Sequence, residues 1–302
     1  MKNRRLPIAD CRLPNKLNGT ERLCLSICNR QSKIVNGFTL IELLVVIAIL
    51  GILAGLAVPA LKNLGKSNIT ISASRQLLDD IGRARQLAMS QRTTVYMVFC
   101  PTNFWGQTAW LDSLTAAQKT AATNLCDKQL TGYTFAADGA MGDQPGQHTW
   151  HYLASWQNLP EGTFIALQKF AEATNQFYPI IDAVSHVEYD IYGFNVTKSI
   201  PFPTETSRSG VIQLPYIAFT YLGQLTFDGQ GLAKRDENIP LAQGSVLPAI
   251  NPATKAFVLL PPPAGSPSVS ENPSGNSTNS AYNVIHIDAV TGRATLEYEK
   301  VQ

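Results

Sequence analysis

From Phe38 to Leu61 the chain is an almost unbroken apolar run, and its one charge is the carboxylate of Glu42 near the start. Those 24 residues would form a helix about 36 Å long, against a bilayer hydrocarbon core of about 30 Å. A buried soluble helix of that length would keep a polar face, and this run has none beyond Thr39 and Glu42, so the pattern predicts a membrane-spanning helix over 38–61. After Lys62 the pattern changes. Leu77, Ile81, Ala84 and Ala88 recur at helical spacing, with Arg75, Asp79, Arg83 and Gln86 largely elsewhere. This predicts an amphipathic second half of the helix over 62–92, its apolar face laid on a sheet. Gly65 and Asn68 are the expected point of interruption between the halves.

Beyond Arg92 the period becomes that of strands. Thr93 to Phe99 reads as the first, and further candidates lie over 185–192, 217–221 and 224–227, with Leu222-Gly223 and Asp228-Gly229 as turns. The chain closes with a hairpin over 282–298 that turns at Val290-Thr291-Gly292-Arg293. Residues 101–162 hold Trp105, Trp110, Trp150 and Trp156, a short helix over 115–125 and a Gly-rich stretch at 137–143, and they read as an insertion. Residues 261–280 are dominated by Pro, Ser, Gly and Asn, a composition that buries little, and they read as a mobile loop. The expected fold class is α+β: a long N-terminal helix packed on an antiparallel β-sheet head over 93–302.

Charge separates the chain into two parts. Of 24 basic and 22 acidic residues, the first 37 hold eight and two, a net +6, so the remainder carries 16 and 20, a net −4. By the positive-inside rule the basic segment stays in the cytoplasm and the residues after about 62 lie outside the inner membrane. The apolar core follows the basic segment and its Gly37-Phe38 end, whereas a secretory signal would place it before the cut. No Lys/Arg cluster follows Arg92, so nucleic acid is not an expected partner. Cys11, Cys24 and Cys28 belong to the basic segment, leaving Cys100 and Cys126 in a compartment where disulfides persist. They are either a disulfide or two buried thiols. His148 and His151 have no further ligands at zinc spacing, and no cofactor is expected. Asp138 and Asp143 invite a calcium reading, but turn chemistry explains the same residues and is the preferred reading. No nucleophile, base and orienting acid can be assembled from spacing, which argues against an enzyme.

The junction Gly37-Phe38-Thr39-Leu40-Ile41-Glu42 with its basic leader and apolar helix resembles the prepilins of the type IV pilin and pseudopilin family. The resemblance implies a pilin-like fold and removal of residues 1–37 by a membrane-embedded prepilin peptidase that cuts after Gly37 and methylates Phe38. The mature subunit would then be anchored in the bacterial inner membrane and built into a filament with other pilin or pseudopilin subunits by an inner-membrane assembly platform. It further implies that Glu42 pairs with the Phe38 amine of a neighbouring subunit. The plainer reading is an acid in the first helical turn that favours the helix dipole. Gly51 and Gly55 are spaced for close helix approach, and Gly51 to Pro59 is the expected flexible stretch, with a kink at Pro59. The helix Arg-Gln-Leu-Leu-Asp-Asp-Ile-Gly-Arg-Ala-Arg-Gln-Leu-Ala before the first strand, together with the closing Thr-Gly-Arg turn, is similar to the H-type minor pseudopilins. In that setting Arg83 and Arg85 read as an ordinary solvated helix face. The expected function is therefore a minor pseudopilin of a type II secretion pseudopilus. A minor pilin of a type IV pilus comes second, and a filament-tip DNA receptor third.

Overall fold

The structure is a computed structural model that describes residues 39–139, 142–143, 149–171, 175–181, 188–207, 211–261, 263–278 and 283–297, with the side chains of 56–68 outside that description. The chain divides into two units, Met1–Gly55 and Leu56–Gln302. Helix α1 is Leu40–Gln91, and it continues without a break through Gly65 and Asn68. In the first unit its described side chains, Glu42 apart, are apolar and open on every side: Leu40, Ile41, Leu43, Leu44, Val45, Val46, Ile47, Ile49, Leu50, Ile52 and Leu53 are each 47–83% exposed.

The second unit builds its core on the other end of α1. Ala73, Leu77, Ile81, Ala84 and Ala88 have no exposed surface, so the spacing that predicts a packed face corresponds to a packed face. Strand β1 (Val95–Phe99) follows after a turn at Arg92, whose φ is 53°. Next come two short helices, α2 (Thr108–Ser113) and α3 (Ala116–Thr123). Thr115 caps α3 by accepting from the backbone N–H of Gln118, whose side chain accepts in return from the backbone N–H of Thr115. Strands β2 (Gly132–Asp138), β3 (Trp150–Tyr152) and β4 (Gln157–Asn158) complete this half. The segment 101–162 is thus only in part an insertion: 101–128 is an elaboration, while β2 is the immediate antiparallel neighbour of β1, with Met97 opposite Phe135.

The remaining elements are β5 (Thr163–Ile165), α4 (Gln168–Ala171), β6 (Phe177–Ile181), β7 (Glu188–Tyr192), β8 (Ser199–Pro201), β9 (Val211–Gln213), β10 (Tyr216–Phe219), β11 (Leu225–Thr226), β12 (Glu237–Leu247), β13 (Ser268–Glu271), β14 (Val284–Ile287) and β15 (Ala294–Leu296). One sheet has the order β11-β10-β1-β2-β3 with β4 also on β2, and a second has β13-β12-β14-β15 with β5 also on β12. All of these pairings are antiparallel.

Strand β1 is buried on both faces, which a one-sided sheet would not require. Val95, Met97 and Phe99 join the cluster under α1, which also takes Ile239, Leu241, Ile285 and Ile287 from the second sheet. Tyr96, Val98 and Cys100 face an aromatic layer of Phe104, Trp105, Trp110 and Phe202, supplied by the elaboration and the segment after β8. The stretch 261–280, expected as a mobile loop, contains β13. Its partner β12 carries no clear strand signal in the sequence, because Pro240 and Gly244 interrupt its pattern.

Candidate functional site

The start of α1 is closed by its own side chains. Thr39 stands before the first helical turn. Its backbone N–H and its hydroxyl both donate to Glu42 Oε2, at 2.9 and 2.8 Å, and the Glu42 N–H donates back to Thr39 Oγ1 at 3.3 Å. This is a reciprocal capping box: the backbone N–H groups of Thr39 and Glu42, which have no intrahelical acceptor at the helix start, are each satisfied by the other residue's side chain. The Thr-x-x-Glu spacing is the sequence signature of this box. The carboxylate therefore has an intramolecular use within a single subunit, beside the intersubunit one that the resemblance implies. Gly37 and Phe38 lie outside the described residues, and Pro59 lies among residues whose side chains are not described. A Cβ at Gly51 or Gly55 would meet nothing within 4 Å, which leaves both positions open to another helix.

Among the described residues no helix is long and apolar enough to cross a membrane. The described side chains of the apolar run end at Gly55, so residues 56–61 of the expected span fall outside them.

In the head, Arg85 is a tie rather than a solvated charge. Its Nε donates to Gly223 O at 3.1 Å and to Thr291 O at 2.7 Å, joining α1 to the β10–β11 turn and to the Thr-Gly-Arg turn between β14 and β15. These two turns touch so closely that a Cβ on Gly292, where φ is 61°, would collide with Gly223 O. Arg83 instead lies over the Phe135 ring, 5.7 Å from its centroid. Because the Arg85 bonds are charge-assisted but partly exposed, Arg85→Ala should cost about 1–2 kcal/mol of head stability. A lower urea midpoint with an unchanged slope for the detergent-solubilised chain is the expected reading; an unchanged midpoint would remove Arg85 from this role.

A second tie crosses from helix to sheet. The Tyr133 hydroxyl donates to Asp80 at 2.5 Å and accepts from Gln76 at 2.8 Å. At the β11 end, Asp228 closes the turn that follows it. Its Oδ1 accepts from the N–H groups of Gln230 and Gly231, both at 2.8 Å, and from the Thr226 hydroxyl at 3.0 Å. Those donors, the two N–H groups first, hold the Asp228 carboxyl down from 3.8 to about 2. A depressed carboxyl contributes stability that is present above the ordinary value and lost as pH falls through about 2. Asp228→Asn should therefore melt below the native chain at neutral pH, with the difference vanishing near that lower limit; a difference independent of pH would contradict it.

Cys100 and Cys126 are both buried, and in the structure they are free thiols. Each sulfur has another partner. Cys100 Sγ donates to Leu125 O at 3.6 Å, and Cys126 Sγ accepts from Trp105 Nε1 at 3.2 Å. Burial pushes the Cys100 thiol well up and that of Cys126 up to about 11, the Trp105 bond opposing the rise at Cys126. Asp143 meets His151 at 3.0 Å, His148 lies outside the described residues, and Asp138 ends β2. Among the described residues no group of three or more His, Cys, Asp or Glu is placed to hold a metal.

Residues 33–58 match the family model of the prokaryotic N-terminal methylation motif. The match covers the end of the basic segment, the Gly37-Phe38 junction and the exposed apolar start of α1. It supports a subunit of the pilin and pseudopilin type, and the motif implies processing by prepilin peptidase and assembly with other pilin subunits. No curated protein and no solved structure matches the chain.

Proposed function

We propose that the chain is a minor pseudopilin of a type II secretion pseudopilus, cut after Gly37 and methylated on Phe38. In this reading residues 38–61 hold the subunit in the inner membrane, with the leader in the cytoplasm and the head outside. The same helix then packs among neighbouring subunits in the filament. One observation carries the proposal: an apolar helix exposed around its whole circumference, inside a methylation motif. Such a surface is stable only when covered by lipid or by other helices. The flanking basic leader orients it.

Assignment to the H-type group draws support from Arg85. The arginine of the pre-strand helix and the closing Thr-Gly-Arg turn, the two features that carry that resemblance, are in direct contact through its bond to Thr291 O. Affinity purification of the tagged chain from crosslinked membranes should recover the other pseudopilins and the secretion assembly platform. Recovery of pilus subunits and a pilus platform instead would replace this reading with that of a type IV pilus minor pilin.

A further inference from the structure

Two oppositely charged side chains that the assembly reading does not use meet in the interior of the head. Lys169 on α4 has no exposed surface, Glu237 at the start of β12 is 3% exposed, and Lys169 Nζ is in direct contact with Glu237 Oε1. Aromatic groups and backbone close around them. Nζ lies 4.9 Å from the centroid of the Phe194 ring, Phe170 packs edge-on against that ring at 5.2 Å, and the Tyr192 carbonyl accepts from Nζ at 2.6 Å. A charged pair is a costly occupant of such a site, because the desolvation of two ions can exceed their mutual attraction. Burial pushes the Lys169 amine below its ordinary value, with Glu237 opposing the shift. A neutral amine is the nucleophilic form.

We propose that Lys169 and Glu237 are joined by an intramolecular isopeptide bond. As the pair's proton passes from Nζ to the carboxylate, the freed lone pair of Lys169 Nζ attacks Cδ of Glu237. A C–N bond forms, the C–O bond to the acid's hydroxyl breaks, and that hydroxyl leaves with a proton from Nζ as one water. No oxidant, reductant or further reactant enters the balance. Holding amine and acid in contact replaces an encounter in solution, a gain equivalent to effective concentrations on the order of 10⁵–10⁸ M for well-oriented groups. The product removes both buried charges, and its single N–H keeps the Tyr192 carbonyl as acceptor. The bond would tie α4 to β12 across 68 residues of chain, restricting the unfolded state.

The test is a tryptic digest of the purified, fully denatured and reduced chain. The expected result is no cleavage after Lys169, and recovery of the Lys169 and Glu237 peptides as one branched species lighter by one water than the two together. In Glu237→Ala the two peptides should separate, and the intact mass should exceed the value set by the substitution alone by one water. Separate native peptides at full mass would overturn the proposal. The native digest decides this whether or not the variant folds.

Discussion

Gly37→Trp should leave the entire population as uncleaved precursor, heavier than the native mature chain by the 37-residue leader and the substitution, and unmethylated at Phe38. The residue before the cut must let its carbonyl be approached from several directions. Glycine presents no side chain there and adopts backbone conformations closed to other residues. The consequence extends to assembly, because the retained leader keeps a net charge of +6 directly before the apolar helix. Drawing that charge into a filament core would carry it through hydrocarbon, at about 2.5–3.5 kcal/mol for each central charged residue. The variant should therefore sit in the membrane and be absent from sheared filaments. A normal mature mass would remove Gly37 from its assigned place.

Glu42→Ala and Glu42→Gln should both insert in the membrane and both fail to enter filaments. The pair of variants is needed because Glu42 has one use in the structure, the cap with Thr39, and a second that the proposed assembly implies. As the partner of Thr39 it completes a helix cap worth about 0.5–2 kcal/mol. As a charge opposite the Phe38 amine of a neighbour it would contribute about 4 kcal/mol at 4 Å and an effective dielectric constant of 20. Glutamine can keep the cap, since the capping box accepts Glu or Gln, but it cannot keep the charge. The larger electrostatic contribution predicts that Gln fails as Ala does. Normal assembly of the Gln variant alongside a defective Ala variant would assign Glu42 to helix capping instead.

What the sequence discloses and what it hides follow physical lines. The buried face of α1 was legible because it is one-sided: Leu77, Ile81, Ala84 and Ala88 contrast with polar neighbours at helical period. The closing hairpin was legible from its glycine turn. Strand β12 was not. Pro240 reads as a strand breaker, yet its carbonyl accepts from the Ala166 N–H, and Gly244 sits so close to β13 that a Cβ would collide with Ser270 O.

The order in 268–278 escaped a hydrophobicity argument because it rests on polar bonds. Asn276 Nδ2 donates to Gln243 O at 2.8 Å, and Ser277 Oγ donates to Glu271 at 2.5 Å. Strand β2 escaped because the tryptophans around it read as an insertion, whereas Tyr133, Phe135 and Ala137 point to α1. The role of Arg85 has no local signature, since its acceptors lie 138 and 206 residues away. At the junction, the Thr39-x-x-Glu42 spacing was legible and competed with an electrostatic reading of the same carboxylate.

The measurement that tests the account most directly is the intact mass of the native chain in separated membrane and soluble fractions. The account predicts a membrane species that begins at Phe38 with one added methyl group. A soluble species still carrying residues 1–37 would contradict it.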